Sequence, residues 1–557
     1  MAWLWLLIPL TPLLLVPILM RWPKLRSVVW LAPLPALPLA FMRPDTLVLP
    51  GLWPGAQLGI ADGLSAILLL FTAALWLAAG LCAVSGHAKD PHARRFWVFW
   101  LLSMTGNLLL ILAQDGASFY VGFTLMSLSA FGLVIHNGTT ESRRAGRLYL
   151  QLAIVGELLL FMGLMLRVHE ADGSMLLTAW QETPAGLPTL ICLLIGFGLK
   201  AGFWPLHVWL PAAHPAAPAA ASAVLSGAMI KAGIIGLWRF MPRGSGEEVM
   251  SLPASVAPWL LAIGLISAFY GVAVGLLQTR DKTALAYSSV SQMGYLLVLV
   301  ALLLSQSVSV EALGLLLGFY VVHHGLAKGA LFLGAGMAHE YRLSRVHWVL
   351  MALPAVALAG FPLTTGAVAK SLLKDQVGNS AFAAWEILFY VGSMATLLLV
   401  SRALWLIWRS QPGGPPATMP LPWKLGWGSL CLAAPVLPWL WPDLRVALLD
   451  TLSLYGLWGL MWPLLLGAVV IALVVRFNPQ WHLERLARYQ PGLVLSLRLR
   501  RWLQTRPVAR DPMLPERPVR MPWAGWRNLE RRWNRLGRDV VQVSAWVMAL
   551  GLLWVLL

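Results

Sequence analysis

From Met1 to about Phe477 the sequence contains no long polar stretch. Apolar runs follow one another between charged or Pro/Gly-rich breaks, each about as long as the roughly 20 residues a bilayer-crossing helix needs. Marking them gives sixteen candidate spans, beginning at Ala2, Arg26, Asp62, Phe96, Ser118, Leu148, Leu187, Ala219, Val256, Ala284, Ala312, Trp348, Phe382, Leu425, Val446 and Val540. With 59% hydrophobic and 11% charged residues, the chain has too little polar surface to keep such runs in water. The pattern predicts an all-α polytopic membrane protein with about 16 transmembrane helices (14 to 16). Pro33, Pro35 and Pro38 make the second run the least regular.

Charge placement orients the spans, because Lys and Arg collect in cytoplasmic loops. With the N-terminus outside, the inner loops receive Arg21/Lys24/Arg26, Lys89/Arg94/Arg95, Arg143/Arg144/Arg147, Arg280/Lys282, Arg342/Arg345 and Arg402/Arg409/Lys424. The outer side receives only Arg43, Arg167, Arg239, Arg243, Lys374 and Arg445. This is the pattern of a bacterial-type inner membrane protein with both termini outside. The net charge of +18 follows membrane sidedness, which argues against a nucleic-acid partner. MAWLWLLIPL lacks a basic n-region and a small-residue cleavage site, so it reads as a retained first helix. Cys82, Cys192 and Cys431 are isolated, with no CxxC, so neither a cofactor nor a metal site is expected.

The layout expected from these breaks is N-terminal helices over 1–95, a first five-helix group over 96–240, a second over 256–407, two helices over 425–475, a basic arm over 476–539 and a last span over 540–557. Five is odd, so the second group crosses in the opposite sense to the first, which makes an inverted repeat. The seventh span carries Lys200 and then Pro205; the twelfth carries Pro362 and then Lys370. Proline frees a carbonyl, and a broken helix inside lipid is tolerable only where water or protein satisfies it, so both breaks point to a hydrated interior. The arm, with WHLERLARYQ, LRLRRWLQTR and WRNLERRWNRLGR, reads as an amphipathic cytoplasmic segment lying on anionic lipid.

A charge at mid-bilayer costs several kcal/mol, about 3 on insertion scales, and so implies a partner, a cavity or a function. Lys200 and Lys231 lie at mid-depth in the seventh and eighth spans. Glu157, in AIVGELLLF, is the carboxylate found deep in a span of the first group. Burial disfavours an ammonium and a nearby carboxylate favours it, so separating the pair releases a proton and reuniting it recaptures one. In YVVHHGLAKGALFLGAG, His323 and His324 precede Lys328; His324 and Lys328, four apart, share one helix face and suit a relay. Lys370, near the outer end of its span, suits a proton exit. Few interior carboxylates are available, so the interior reads as a proton path more than a sodium cage.

The run LKAGFWPLHVWLPAAHPAAPAAASAVLSGAMIKAGIIGLWRF, Leu199 to Phe240, resembles the signature of the proton-translocating antiporter-like family. That family comprises complex I antiporter-like subunits, Mrp-type cation/proton antiporter subunits and membrane subunits of energy-converting hydrogenases. DKTALAYSSVSQMGY, HHGLAKGALFLGAG and GFPLTTGAVAKSLLKD resemble further family segments. The resemblance implies functional lysines at Lys200 and Lys231, a relay at His324 and Lys328, and a terminal group at Lys370. It also implies a cofactor-free subunit working with other membrane subunits in a larger complex. Four readings fit: a proton or Na⁺/H⁺ or K⁺/H⁺ exchanging subunit, a module driving inorganic-carbon uptake by a soluble partner, the pump module of a redox complex, and a structural anchor whose basic arm recruits partners. One position departs from the family. Its usual helix-five glutamate is Thr124 here, in FYVGFTLMS, which leaves two readings: Glu157 on the next helix takes its place, the favoured one, or the first half has lost coupling.

Overall fold

The computed structural model describes residues 1–244, 247–416 and 418–477. The arm from residue 478 onward and the expected span at Val540 lie outside the described residues. Among the described residues, eleven helices are long and apolar enough to cross a membrane, or twelve if the bent pair Leu421–Leu440 and Leu444–Asp450 is one span. The protein is an all-helical, multi-span membrane protein. Its only named strands among the described residues are β1 (Leu47–Val48) and β2 (Gln57–Leu58), paired antiparallel with Leu47 opposite Leu58.

The N-terminal part holds α1 (Leu7–Arg21), α2 (Ala36–Met42), α3 (Gly63–Gly86) and α4 (Ala93–Leu112). Between Pro23 and Leu31 only short 3₁₀ turns form. Pro33, Pro35 and Pro38, closely spaced just beyond, deny the backbone its donors, and the second candidate span becomes the short apolar stretch Val29–Met42. There follow α5 (Gly116–Val134), α6 (Thr140–Glu170), α7 (Leu177–Glu182), α8 (Leu187–Ala201), α9 (Leu210–Ala216), α10 (Ala219–Val224) and α11 (Lys231–Phe240). The next part has α12 (Glu247–Leu276), α13 (Asp281–Leu304), α14 (Val310–Glu340), α15 (Arg345–Ala359), α16 (Thr365–Gly378) and α17 (Glu386–Arg409). Last come α18 (Leu421–Leu440), α19 (Pro442–Asp450) and α20 (Leu454–Phe477). The run expected from Val446 thus splits between α19 and α20. By compactness, the short loop Leu49–Pro54 is set apart from the unit that the other described residues form.

Side-chain oxygens cap several of these helices. Asp62 accepts from the Ser65 N–H, Asp115 from Ser118 and Thr139 from Ser142, each satisfying a donor the helix start leaves open. The stretch Ala219–Phe240 and helix α13 are entirely buried over their apolar windows, while α20 is mostly open to the surroundings. A buried centre ringed by exposed apolar helices is what a bilayer solvent permits.

Two helices are interrupted. Helix α8 ends where Gly202 takes a left-handed conformation (φ +71°), and Trp204–Pro205 follows. The freed Leu199 carbonyl accepts from Trp209 Nε1 at 2.7 Å. Helix α15 ends at Gly360 (φ +92°), Pro362 follows, and the Thr364 side chain caps α16. Here the Ala359 carbonyl accepts from Lys370 Nζ at 3.2 Å. In both cases a side chain supplies the donor that the break removes. At the second break, a Cβ on Gly366 would lie 1.6 Å from the Ala357 carbonyl oxygen and 2.9 Å from His323 Cε1. Backbone cannot yield that far, so Gly366→Ala is expected to cost at least about 2 kcal/mol. Thermal unfolding in detergent should show a clear loss of stability, whereas Gly428→Ala, facing open space, should leave the melt nearly unchanged.

Candidate functional site

Helices α5, α6 and α8 bring the first group of polar residues together. Lys200, the next-to-last residue of α8, is 5% exposed. Its Nζ donates to Ser127 Oγ at 3.2 Å and to Tyr149 Oη at 3.1 Å. Tyr149 in turn donates to the Ser127 carbonyl at 2.6 Å, which fixes the phenol as an acceptor for the lysine. Glu157 is also buried; its Oε2 accepts from Thr124 Oγ1 at 2.5 Å, while Oε1 has no hydrogen-bond partner. Lys200, Glu157, Ser127, Tyr149 and Trp209 line one cavity of about 20 Å³, room for about one water molecule. The geometry gives Thr124 a positive role: it holds one oxygen of Glu157 and leaves the other available.

The second group centres on Lys231. The backbone from Leu225 to Met229 widens into a π-helical turn just before it, between α10 and α11. Such a turn loosens the usual carbonyl pairing and recurs at functional sites; here the Ser226 carbonyl accepts from Lys231 Nζ. Ser226 Oγ pairs with Ser289 Oγ at 2.8 Å, Ser289 donates to the Leu285 carbonyl, and that carbonyl also accepts from Lys328 Nζ at 2.8 Å. Lys328 further donates to Ser288 Oγ. A string of polar groups therefore joins Lys231 to Lys328 through α13, its step across Ser226 running from that residue's carbonyl to its hydroxyl. His324 is wholly buried, with no hydrogen-bond partner at either ring nitrogen, and lies within charge-interaction range of both lysines. An unpartnered buried imidazole is costly unless water reaches it.

His323 continues the series: its Nδ1 pairs with Thr365 Oγ1 at 2.9 Å, at the start of α16, and Lys370 is within charge-interaction range. Lys370 is 5% exposed, and its ammonium turns back onto the helix break, where the freed Ala359 carbonyl accepts from it. Pro205 and Pro362 sit at the two breaks and carry no polar atom toward either lysine group.

The structure also buries basic residues that their sequence position assigns to loops. Lys282 is 9% exposed and donates to the Ala217 carbonyl at 3.1 Å. Lys374 is 4% exposed, over the Tyr390 ring. Arg239 binds the carbonyls of Leu110, Ile111 and Ala113 and so closes the C-terminal end of α4. Arg167 does the same for the carbonyls of Trp180, Thr183 and Pro184. These two arginines are structural staples: all their bonds reach main-chain ends, apart from Glu170 and Ser65.

Lys282 adjoins a second cavity of about 340 Å³, also lined by Arg280, Asp281, His339 and Ser410. His339 is half-exposed, and its Nε2 lies 2.7 Å from buried Asp281 Oδ2. Farther in, His214 is wholly buried with both nitrogens unpartnered, within charge-interaction range of Lys282, Lys328 and Lys231. Asp281, Lys282 and His214 lie in the family-like runs DKTALAYSSVSQMGY and LKAGFWPLHVWLPAAHPAAPAAASAVLSGAMIKAGIIGLWRF, but by position each looks like a loop charge or an isolated histidine, so burial is what marks them.

Residues 113–399 match the family described as NADH:quinone oxidoreductase/Mrp antiporter, TM. The chain belongs to that family. Glu157, Lys200, His214, Lys231, Asp281, Lys282, His323, His324, Lys328, His339 and Lys370 all fall within that matched region. Among its relatives in this antiporter-like family, the chain is 34% identical over 297 residues to hydrogenase-4 component B of Escherichia coli, covering 51% of this chain and 43% of that protein. It is 29% identical over 360 residues to the putative antiporter subunit mnhA2 of Staphylococcus epidermidis, covering 58% and 44%. To NADH-quinone oxidoreductase subunit N of Ectopseudomonas mendocina it is 30% identical over 332 residues, covering 53% and 65%. The chain spans about half the length of the curated relatives it matches. Two solved structures share its fold. The Mrp complex from Dietzia sp. DQ12-45-1b gives a TM-score of 0.64 at 23% identity, over 75% of this chain and 81% of that one. The membrane-bound sulfane sulfur reductase, an archaeal respiratory membrane complex, gives 0.66 at 20% identity, over 80% and 97%.

Proposed function

We propose that this chain is a proton-translocating membrane subunit of a multisubunit assembly, moving H⁺ along an axis of Glu157, Lys200, Lys231, His324, Lys328, His323 and Lys370. The observation that carries this reading is the polar string from Lys231 through Ser226, Ser289 and the Leu285 carbonyl to Lys328. Main-chain carbonyls hold the two ammonium groups, and the hydroxyls of Ser226, Ser288 and Ser289 between them are groups that can both accept and give up a proton. The five-helix groups over 96–240 and 256–407 act as inverted halves in a bundle of 14 to 16 spans, with the interruptions at Pro205 and Pro362 as corresponding breaks. Helices 1–95 and 425–475 flank them, and the basic arm over 476–539, ahead of a span over 540–557, lies on the cytoplasmic leaflet.

The Asp281 cavity gives this axis its cytoplasmic access. A proton taken up at His339 passes to Asp281, then by Lys282 and His214 to Lys328. Asp281→Asn should slow proton movement by at least about tenfold, seen as dye quenching in everted vesicles, whereas Glu141→Gln, in an exposed ion pair with Arg280, should not. Purification with interacting subunits and reconstitution, with Na⁺, K⁺ or choline as the other cation, tests the function itself. Proton movement only with Na⁺ or K⁺ marks exchange; movement in choline marks a proton-only path; none in any buffer overturns the proposal. A second reading, the pump module of a redox complex, is favoured by similarity to a protein named as an NADH-quinone oxidoreductase subunit. Co-purification of iron–sulfur subunits distinguishes it, and a large zinc-site partner would instead mark inorganic-carbon uptake.

A further inference from the structure

The turn from α3 to α4 and the turn from α5 to α6 meet at one end of the bundle, and three ligand-type side chains converge there. His87 follows α3, Asp90 lies three residues on, and His136 follows α5. One ligand atom from each lies within 4.8 Å of the other two. His136 Nε2 is 2.6 Å from Asp90 Oδ2, and His87 Nε2 is 3.9 Å from the same oxygen.

Both imidazoles are held in place. The His87 ring stacks on Phe96 with centroids 3.7 Å apart, and His136 meets the same Phe96 edge-on at 5.3 Å. His87 Nδ1 lies 3.2 Å from the Ala83 carbonyl, which can only accept, so Nδ1 carries the hydrogen and the lone pair sits on Nε2. Hydrogen-bonding one ring nitrogen to a main-chain carbonyl is how proteins orient a metal-binding histidine. A simple His136–Asp90 hydrogen bond would explain one ring; it leaves unexplained a second buried imidazole whose lone pair faces the same carboxylate.

We propose that His87, Asp90 and His136 bind a zinc-class divalent cation that clips the α3–α4 turn to the end of α5. Two imidazoles and one carboxylate, with a fourth position for water, form a donor set that Zn²⁺ accepts, whereas Mg²⁺ and Ca²⁺ prefer all-oxygen shells. Tetrahedral bonds of about 2.0–2.1 Å place ligand atoms about 3.3 Å apart. The distances of 2.6 and 3.9 Å bracket that separation, so both adjust by about 0.7 Å as the ring hydrogen of His136 moves from Nε2 to Nδ1. Lys89, Arg94 and Arg95 flank the turn, so coordination by nitrogen, not a general negative field, retains the ion. Helix α5 also carries Thr124 and Ser127, so the clip anchors a wall of the Lys200 cavity.

The test uses the full chain without a histidine tag, exposed to ZnCl₂ and dialysed against zinc-free buffer. About one zinc per chain should remain by mass spectrometry, with nitrogen and oxygen ligands at about 2.0 Å and no sulfur by X-ray absorption. His87→Gln and Asp90→Asn should each reduce retained zinc at least about fivefold while melting, zinc-free, close to the unaltered protein. His136→Cys, which keeps a zinc ligand, should retain the ion where His136→Gln does not, and so separates lost coordination from lost folding. Negligible zinc in the unaltered chain, sulfur in its shell, or equal retention in all variants overturns the site.

Discussion

Glu157→Gln and Lys200→Ala each bring proton movement down by about two orders of magnitude, to near background, while the protein remains in the membrane. The reason lies in the shared cavity. Glu157 presents one unpartnered oxygen there, and Lys200 spends two of its three N–H groups on Ser127 and Tyr149. Its third N–H faces room for about one water, which is the element needed to pass a proton between the two side chains. Glutamine keeps the shape and can still accept from Thr124, but it cannot take up a proton; alanine removes the carrier. Everted vesicles loaded with equal amounts of each variant, energised by respiration and followed by dye quenching, measure the effect. Normal transport in both variants removes these residues from the path. Ser127→Ala is the milder control: it takes one acceptor from Lys200, a loss of about 1 kcal/mol, and should slow transport without abolishing it.

The sequence exposed the charged members of the site more readily than the neutral ones. Glu157, Lys200, Lys231 and Lys328 stand out because an ionisable residue in an apolar run is costly. Ser127, Tyr149, Ser226 and Ser289, which connect them, raise no signal, since hydroxyl residues are ordinary in membrane helices. Position within a run was a weaker guide. Lys282 begins α13 beside Asp281 and reads as a loop charge, yet its aliphatic stem carries the ammonium inward to the Ala217 carbonyl. Lys370 reads as able to snorkel but turns toward the break. The breaks themselves follow from Gly202 and Pro205, and from Gly360 and Pro362, residues whose backbone chemistry is local. By contrast, the π-turn at Leu225–Met229 has no sequence marker and depends on packing around it. The run at Arg26 shows the opposite failure: hydropathy predicts a span, and prolines reduce it to short helices.

Adding Thr124→Glu to Glu157→Gln should restore proton movement at least about tenfold over Glu157→Gln alone. Thr124 Oγ1 lies 2.5 Å from Glu157 Oε2, so a carboxylate grown from position 124 comes up beside the amide that replaces the lost acid. The departure at Thr124 from the usual glutamate then amounts to moving one acid from α5 to the neighbouring α6, with the Lys200 cavity served from either side. Thr124→Glu by itself should impair transport, because two carboxylates a hydrogen-bond length apart cannot both ionise, and one holds its proton against the other. The double variant relieves that conflict. Its rescue is a signature that a merely structural Glu157 would not give, because glutamine at 157 already keeps the packing and the second change restores only an acid. Failure of the double variant, with both single variants folded and inserted, would mean that the acid must approach Lys200 from α6 alone.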